Sequence, residues 1–363
     1  MHVSHAEQPG PGASASSAAG GAFGTLHVLG GRQRNPAGLR ELDTQWYGYG
    51  MGVVVRVGDG APETVETWSS RPGTFGPDDP ILFKSAYRRG DLLYACSQTE
   101  AMVFDYPSFQ LRHHVSLPVF NDVHHVIPGG PTADTAEDDR TLLAAVSGQD
   151  AVVEFTVDGE LVRVWAVDGS DPTDRIDPER DYRINTKLKP HAFHPNHVFR
   201  MPDGSAWVTR FETRDAVQID DVSRRIAIDQ ERCHDGVVDG GQVHFTTVDG
   251  HVVSADVETL EVVGNHRLER RREDSLLGWC RGLTFVGDHA IVGFSRIRHT
   301  KVRGALSFIR TGFSVAEPTR IAVYDRRTWR LEEEIDLEPA GCNAVFTIVQ
   351  EDAGLGGDPR STS

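Results

Sequence analysis

One short pattern recurs along this chain of 363 residues and limits what it can fold into. A polar residue precedes a small residue or a histidine; an apolar run, a turn and a second apolar run follow. The copies read Ser85-Ala86-Tyr87, His124-His125-Val126, Asn196-His197-Val198, Asp235-Gly236-Val237, Arg281-Gly282-Leu283 and Asn343-Ala344-Val345. Behind the first five stand the strand-like runs LLYACS, LLAAVSG, SAWVTRF, VHFTTV and AIVGFS. Short strands repeating at a near-constant spacing predict an all-β, six-bladed β-propeller of four-stranded antiparallel blades. The innermost strand of each blade starts near the central axis, so residues at matched places in the repeats converge there. The ring holds Ser, His, Asn, Asp, Arg and Asn, the makings of a site rather than a core.

Apolar runs of four to eight residues, bounded by Gly, Asp and Pro, continue from Thr25 to Gln350, and no long stretch carries a 3.6-residue period. Blades two to six are expected over about 81–118, 121–168, 194–230, 231–268 and 278–337. The Asp158-Gly159, Asp203-Gly204 and Asp249-Gly250 pairs mark hairpin turns. The last run, AVFTIVQ, has an anchor but no partner strands, whereas TLHVLGG, MGVVVRVG and ETVETW near the start have no anchor. Joining them makes one blade from both termini and removes the strand edges an open ring leaves. Five or seven blades would require a different arrangement of the long N-terminal loop or of the 170s segment. The expected domain is 24–350, with flexible tails at 1–23 and 351–363, the first rich in Gly, Ala and Ser.

The net charge of −16, from 53 acidic and 37 basic side chains, opposes a nucleic-acid surface. No apolar run approaches the roughly 20 residues of a membrane span. The N-terminal residues lack a basic region followed by an apolar one, and Cys96, Cys233, Cys280 and Cys342 form no CxxC pair. A reduced, cytoplasmic protein is expected. No GxSxG, HExxH, Walker or dinucleotide-binding motif occurs.

Two insertions break the repeat. One, DGSDPTDRIDPERDYRINTKLKPHAFHP, lies between blades three and four; the other, SRIRHTKVRGALSFIRTGFSVAEPTR, lies inside blade six. Long loops in a compact repeat are commonly functional. The second carries Arg296, Arg298, His299, Lys301, Arg303 and Arg310, and reads either as a cationic lid over an axial pocket or as a solvated loop or subunit contact.

PNHVFRMPDGSAWV and HDGVVDGGQVHFTTVDG, around Asn196 and Asp235, resemble the inner strands of the gluconolactonase, senescence-marker-protein and strictosidine-synthase-like propellers. The resemblance covers about two blades at motif level. It implies an axial divalent cation, calcium, held by Asn196 and Asp235, and lactone or ester hydrolysis. Two departures stand out: His197 occupies the place where that family prefers Gly, and its early acidic ligand has no equivalent here.

Histidine fills the gap. His124 and His125, His194 and His197, and His234 fall at the starts of three successive inner strands, which is five of the 16 histidines. Neutral imidazoles from adjacent strands can make a site for zinc, iron, copper or manganese. Side chains alternate along a strand, so Asp122 shares a direction with His124, and His194 with Asn196. The favoured ligands are His124, one of His194 and His197, and His234 or Asp235. His194, His234 and Arg281 are candidate catalytic residues. Lys84, Arg281, Asn343, Arg296 and Arg298 are candidates for holding a substrate, Arg281 by bidentate binding of a carboxylate or phosphate; the alternative for Arg281 is a buried ion pair with Asp235 or another acid across the channel. The expected function is a metal-dependent enzyme acting on a small anionic molecule, by lactone or ester hydrolysis or by lyase, isomerase or cyclase chemistry. The alternatives are a non-catalytic ligand- or protein-binding propeller and a non-haem iron or copper oxygenase. The oligomeric state is left open.

Overall fold

A computed structural model describes residues 23–34, 48–76, 79–130, 140–174, 176–177, 179–184, 191–271, 275–296 and 315–351. The strands within them form six four-stranded antiparallel sheets, the blades of a six-bladed β-propeller. Blade two is Ser85–Arg89, Leu92–Cys96, Ala101–Asp105 and Gln110–Val115, from the axis outward. Blade three is Val123–Pro128, Thr141–Val146, Ala151–Thr156 and Leu161–Ala166. Blade four is Pro195–Arg200, Ala206–Arg210, Asp215–Gln218 and Arg225–Ala227. Blade five is Cys233–Asp239, Gln242–Thr247, His251–Asp256 and Val262–Arg267; blade six is Trp279–Val286, His289–Ser295, Arg320–Asp325 and Leu331–Asp336. Blade one takes Leu26–Gln33, Tyr49–Val57 and Glu63–Trp68 from the N-terminal part and its innermost strand, Ala344–Gln350, from the C-terminal part. The closure expected from the unanchored runs is therefore present. Ser275–Leu276 and Val315–Ala316 add a short parallel pair. No helix among the described residues is long and apolar enough to cross a membrane.

Packing follows from burial along the strands. Leu92–Cys96, the second strand of blade two, is buried on both faces because it is sandwiched between neighbouring blades, whereas the outermost Glu63–Trp68 alternates with solvent. Six apolar clusters each fill one blade-to-blade interface. Phe120, Phe155, Val126 and Tyr94 join blades two and three, and Val28, Val55, Ile291, Ile321 and Val345 join blades one and six. Gly159, at φ 93°, supplies the left-handed turn that the Asp158-Gly159 hairpin requires.

The innermost strands of blades three to six share a defect. Register slips by one residue between Val123 and His125, between Pro195 and His197, between His234 and Val237, and between Cys280 and Leu283. A β-bulge re-aims the side chain it carries. The bulged residues are His124, Asn196, Asp235-Gly236 and Arg281-Gly282, so four of the six copies of the sequence pattern mark a bulge at the axis, while the Ser85 copy pairs without one. The fit is tight: a Cβ on Gly293 would lie 2.5 Å from the Arg281 carbonyl oxygen.

Candidate functional site at the propeller axis

At the end of the channel where the inner strands begin, the side chains form one connected group. Lys84 has no exposed surface, and its Nζ lies 2.5 Å from Asp122 Oδ1 and 3.3 Å from His124 Nε2. His124 Nδ1 lies 2.7 Å from Ser147 Oγ, which donates to the Pro195 carbonyl at 2.5 Å. These contacts assign the tautomer: His124 donates from Nδ1 to Ser147 and accepts from the Lys84 ammonium at Nε2. Both ring nitrogens are engaged within the protein. Burial, then the Lys84 charge, push the His124 pKa well below its ordinary value, so the ring is neutral. Burial opposes ionisation of Asp122, but the charge and hydrogen bond of Lys84 outweigh it and hold the carboxyl well below the usual range.

Asp122 keeps Oδ1 on Lys84, and its second oxygen has no hydrogen-bond partner among the described residues. Facing it are His191 and His194, whose ligand atoms and that of Asp122 all lie within 4.8 Å of one another. His191 Nε2 is in hydrogen-bonding contact with His194 Nδ1, and the His124 and His194 rings meet edge to face at 4.7 Å. Asp150 holds this loop in place: its carboxylate accepts the backbone N–H groups of Ala192, Phe193 and His194 at 2.7, 3.1 and 2.7 Å. Asp122 and His194 both sit in the left-handed backbone region, φ 56° and 54°, as does Asp235 at 59°. Such conformations cost non-glycine residues about 1–3 kcal/mol and cluster at functional sites.

The other expected residues divide. His234 packs on Phe211 and Trp279, with the Trp279 Nε1–H donating to His234 Nε2 at 3.4 Å, and Phe211 also touches His194. Arg281 is 6 % exposed; it donates to the Lys84 carbonyl at 3.0 Å, stacks over Phe346 at 4.3 Å, and makes no ion pair among the described residues. The expected alternative of an Asp235 ion pair is therefore absent there, although burial draws the Arg281 pKa down to about 10 while Asp235 opposes the shift. Asp235 accepts from Thr246 and from the Gly282 N–H, and burial raises its pKa. Asn196 donates to the Cys233 carbonyl at 3.4 Å and leaves Oδ1 buried without a partner. Asn343 accepts the Gln33 N–H at 3.0 Å and so fastens the closing blade. Arg296 forms a two-pronged pair with Glu338, at 2.8 and 2.5 Å. Arg298 lies outside the described residues. The four cysteines are buried free thiols, and burial pushes Cys96 up to about 11 and Cys342 to about 12.

His125 and His197 stack face to face, ring centroids 3.6 Å apart and planes 25° apart. Nearly parallel rings do not direct their in-plane lone pairs at one ion, so this pair is not a shared ligand set.

Where a metal fits follows from the donor chemistry. Asn196 and Asp235, the positions implied by the resemblance, keep one oxygen each outside these hydrogen bonds, but the Arg281 charge acts on Asp235 and would oppose a cation there. Asp122, His191 and His194 offer one carboxylate oxygen and two imidazole nitrogens in reach of one another, a donor set that suits a first-row transition metal. His191 was not among the candidates read from the sequence, although the His191-x-x-His194 spacing in the first insertion was a signal for it. Ser147 and Asp150 were also missed, because they come from the far end of the second strand of blade three rather than from the start of an inner strand.

Buried neutral histidines set a pH dependence. Burial lowers the pKa of His27 to about 4, of His125 to about 3 and of His244 to about 4, from 6.5. The unfolded chain then takes up protons that the folded one refuses, so stability is complete above about pH 6.5 and falls as the pH drops toward 4. Between pH 7.5 and 5 each such histidine costs on the order of 2 kcal/mol. Urea unfolding should show a clearly lower midpoint at pH 5; equal midpoints would contradict these assignments.

No family model matches the chain, and no curated protein sequence matches it. Among solved structures, a crystal structure of a protein of unknown function from Bacteroides caccae is similar, with a TM-score of 0.54 over 89 % of this chain and 97 % of that one. At 10 % identity the likeness is one of fold.

Proposed function

We propose that this propeller is a metal-dependent enzyme acting on a small anionic molecule at its axis. The observation that carries the reading is the convergence of Asp122, His191 and His194 within 4.8 Å, together with the buried Arg281 guanidinium, which has no ion pair among the described residues. A bound divalent ion would polarise a carbonyl or activate water. Lys84, itself braced by His124, fixes the Asp122 carboxylate, and Asp150 fixes the His194 loop. Arg281 has donors to spare for a carboxylate or phosphate, and a buried cation gains from such a partner. His234, against the Phe211 ring that also contacts His194, is placed to exchange a proton with a bound molecule.

Lactone or ester hydrolysis is the reaction that the resemblance around Asn196 and Asp235 favours. A two-histidine, one-carboxylate set also suits a non-haem iron oxygenase, which would consume dioxygen. Turnover of carboxylate-bearing lactones and esters tests the proposal, with uncharged analogues for comparison. Chelation and His191→Ala should each abolish turnover, and Arg281→Leu should raise KM for the anionic substrates alone. Turnover indifferent to chelation and to His191→Ala would overturn the metal role. Metal loading and anion binding without turnover would leave a ligand-binding propeller.

A further inference from the structure

The other half of the axial channel is a separate cavity of about 470 Å³, within the range of small-molecule sites. All six innermost strands line it, from the level of His125, His197 and Asp235 to the strand ends, where Arg88, Arg89 and Arg200 stand. Two observations there call for a ligand. His125 is 1 % exposed, and among the described residues its ring nitrogens meet no well-formed hydrogen-bond partner, the Val198 backbone offering one of them a marginal contact. Arg200 donates to the Gly204 and Gly129 carbonyls, makes no ion pair among the described residues, and leaves Nε buried and unpartnered. Buried polar groups are otherwise paired in folded proteins, and an orphaned imidazole is costly. Between these two ends the wall is apolar, with Val198, Val237, Leu283 and Ile348.

We propose that this half of the channel is a second ligand site, for a small amphipathic carboxylate. Its charge lies at Arg200, its aliphatic body lies along the apolar wall, and an uncharged hydroxyl or carbonyl group pairs with His125. A neutral imidazole offers one donor and one acceptor, which matches a hydroxyl better than a second charge. His125 stacks on His197, and His197 and Arg200 are three strand residues apart, about 10 Å along the backbone. That span suits a hydroxy acid of some six to eight carbons. The site stands independently of the metal proposed at the opposite end.

Calorimetry of the full chain with 6-hydroxyhexanoate tests it, with hexanoate and 1,6-hexanediol as comparisons. The wild type should bind 6-hydroxyhexanoate saturably. Loss of the hydroxyl or carboxylate, or substitution Arg200→Gln or His125→Leu, should each weaken binding by roughly tenfold or more. His191→Ala should leave it unchanged. His125→Leu should melt close to the wild type, since leucine keeps an apolar contact with His197 while removing poorly satisfied polar groups. Absence of saturable binding, equal binding to Arg200→Gln, or loss of binding only in His191→Ala would each overturn the proposal. So would a His125→Leu protein that melts far below the wild type, because the ring would then be structural.

Discussion

A chain ending at Gly341 is expected not to fold cooperatively. The strand Ala344–Gln350 is the innermost of blade one and pairs along Leu26–Gly31. It buries Val345, Phe346, Ile348 and Val349 against blades one, two and six. Four such side chains at roughly 1.5–3 kcal/mol each amount to about 6–12 kcal/mol. A whole domain is stable by only about 5–15 kcal/mol. Truncation also removes Asn343, which accepts the Gln33 N–H, and exposes two strand edges, on Leu26–Gln33 and in the ring. Circular dichroism during heating should show no sharp transition, and the truncated chain should aggregate. A monomer with an unchanged transition would show that the ring does not depend on its closing strand.

Lys84→Met is expected to cost about 3–5 kcal/mol, the penalty for leaving one partner of a buried ion pair alone. Lys84 is fully buried and Asp122 nearly so, and Met is close in volume, so the change removes charge with little loss of packing. Asp122 would keep a charge with no ammonium beside it, and His124 would lose the donor at Nε2. Adding Asp122→Asn should recover part of the loss, since an amide needs no counter-ion. Urea unfolding at neutral pH measures both; a loss below about 1 kcal/mol for Lys84→Met would mean the pair is not worth what its burial implies.

The fold was legible because a propeller repeats itself. The second strands of the blades read as apolar runs, as in Leu92–Cys96 and Thr141–Val146, and the Asp158-Gly159 and Asp249-Gly250 turns marked the hairpins in the chain itself. The unanchored runs at the two ends predicted the shared blade, because strands with no partner nearby in sequence must find one far away. The site was legible only where it follows the repeat. His124, Asn196, Asp235 and Arg281 stand on matched bulges, but matched position did not separate their roles. His124 spends both nitrogens on Lys84 and Ser147, and Asn343 spends its oxygen on Gln33. Pattern cannot show which lone pairs are already used. His191 and Asp150 break the periodicity: one arrives from an insertion and the other from a strand end, so only the folded chain brings them together.

Cobalt(II) titration followed by visible absorption tests the central claim most directly, because ligand-field bands report coordination at the ion and not turnover. The wild-type chain should develop bands that saturate at one equivalent per chain. His191→Ala and His194→Ala should each lose them while keeping the wild-type melting transition. Bands that persist unchanged in both variants, or a wild-type chain that develops none, would contradict an axial metal site built from Asp122, His191 and His194.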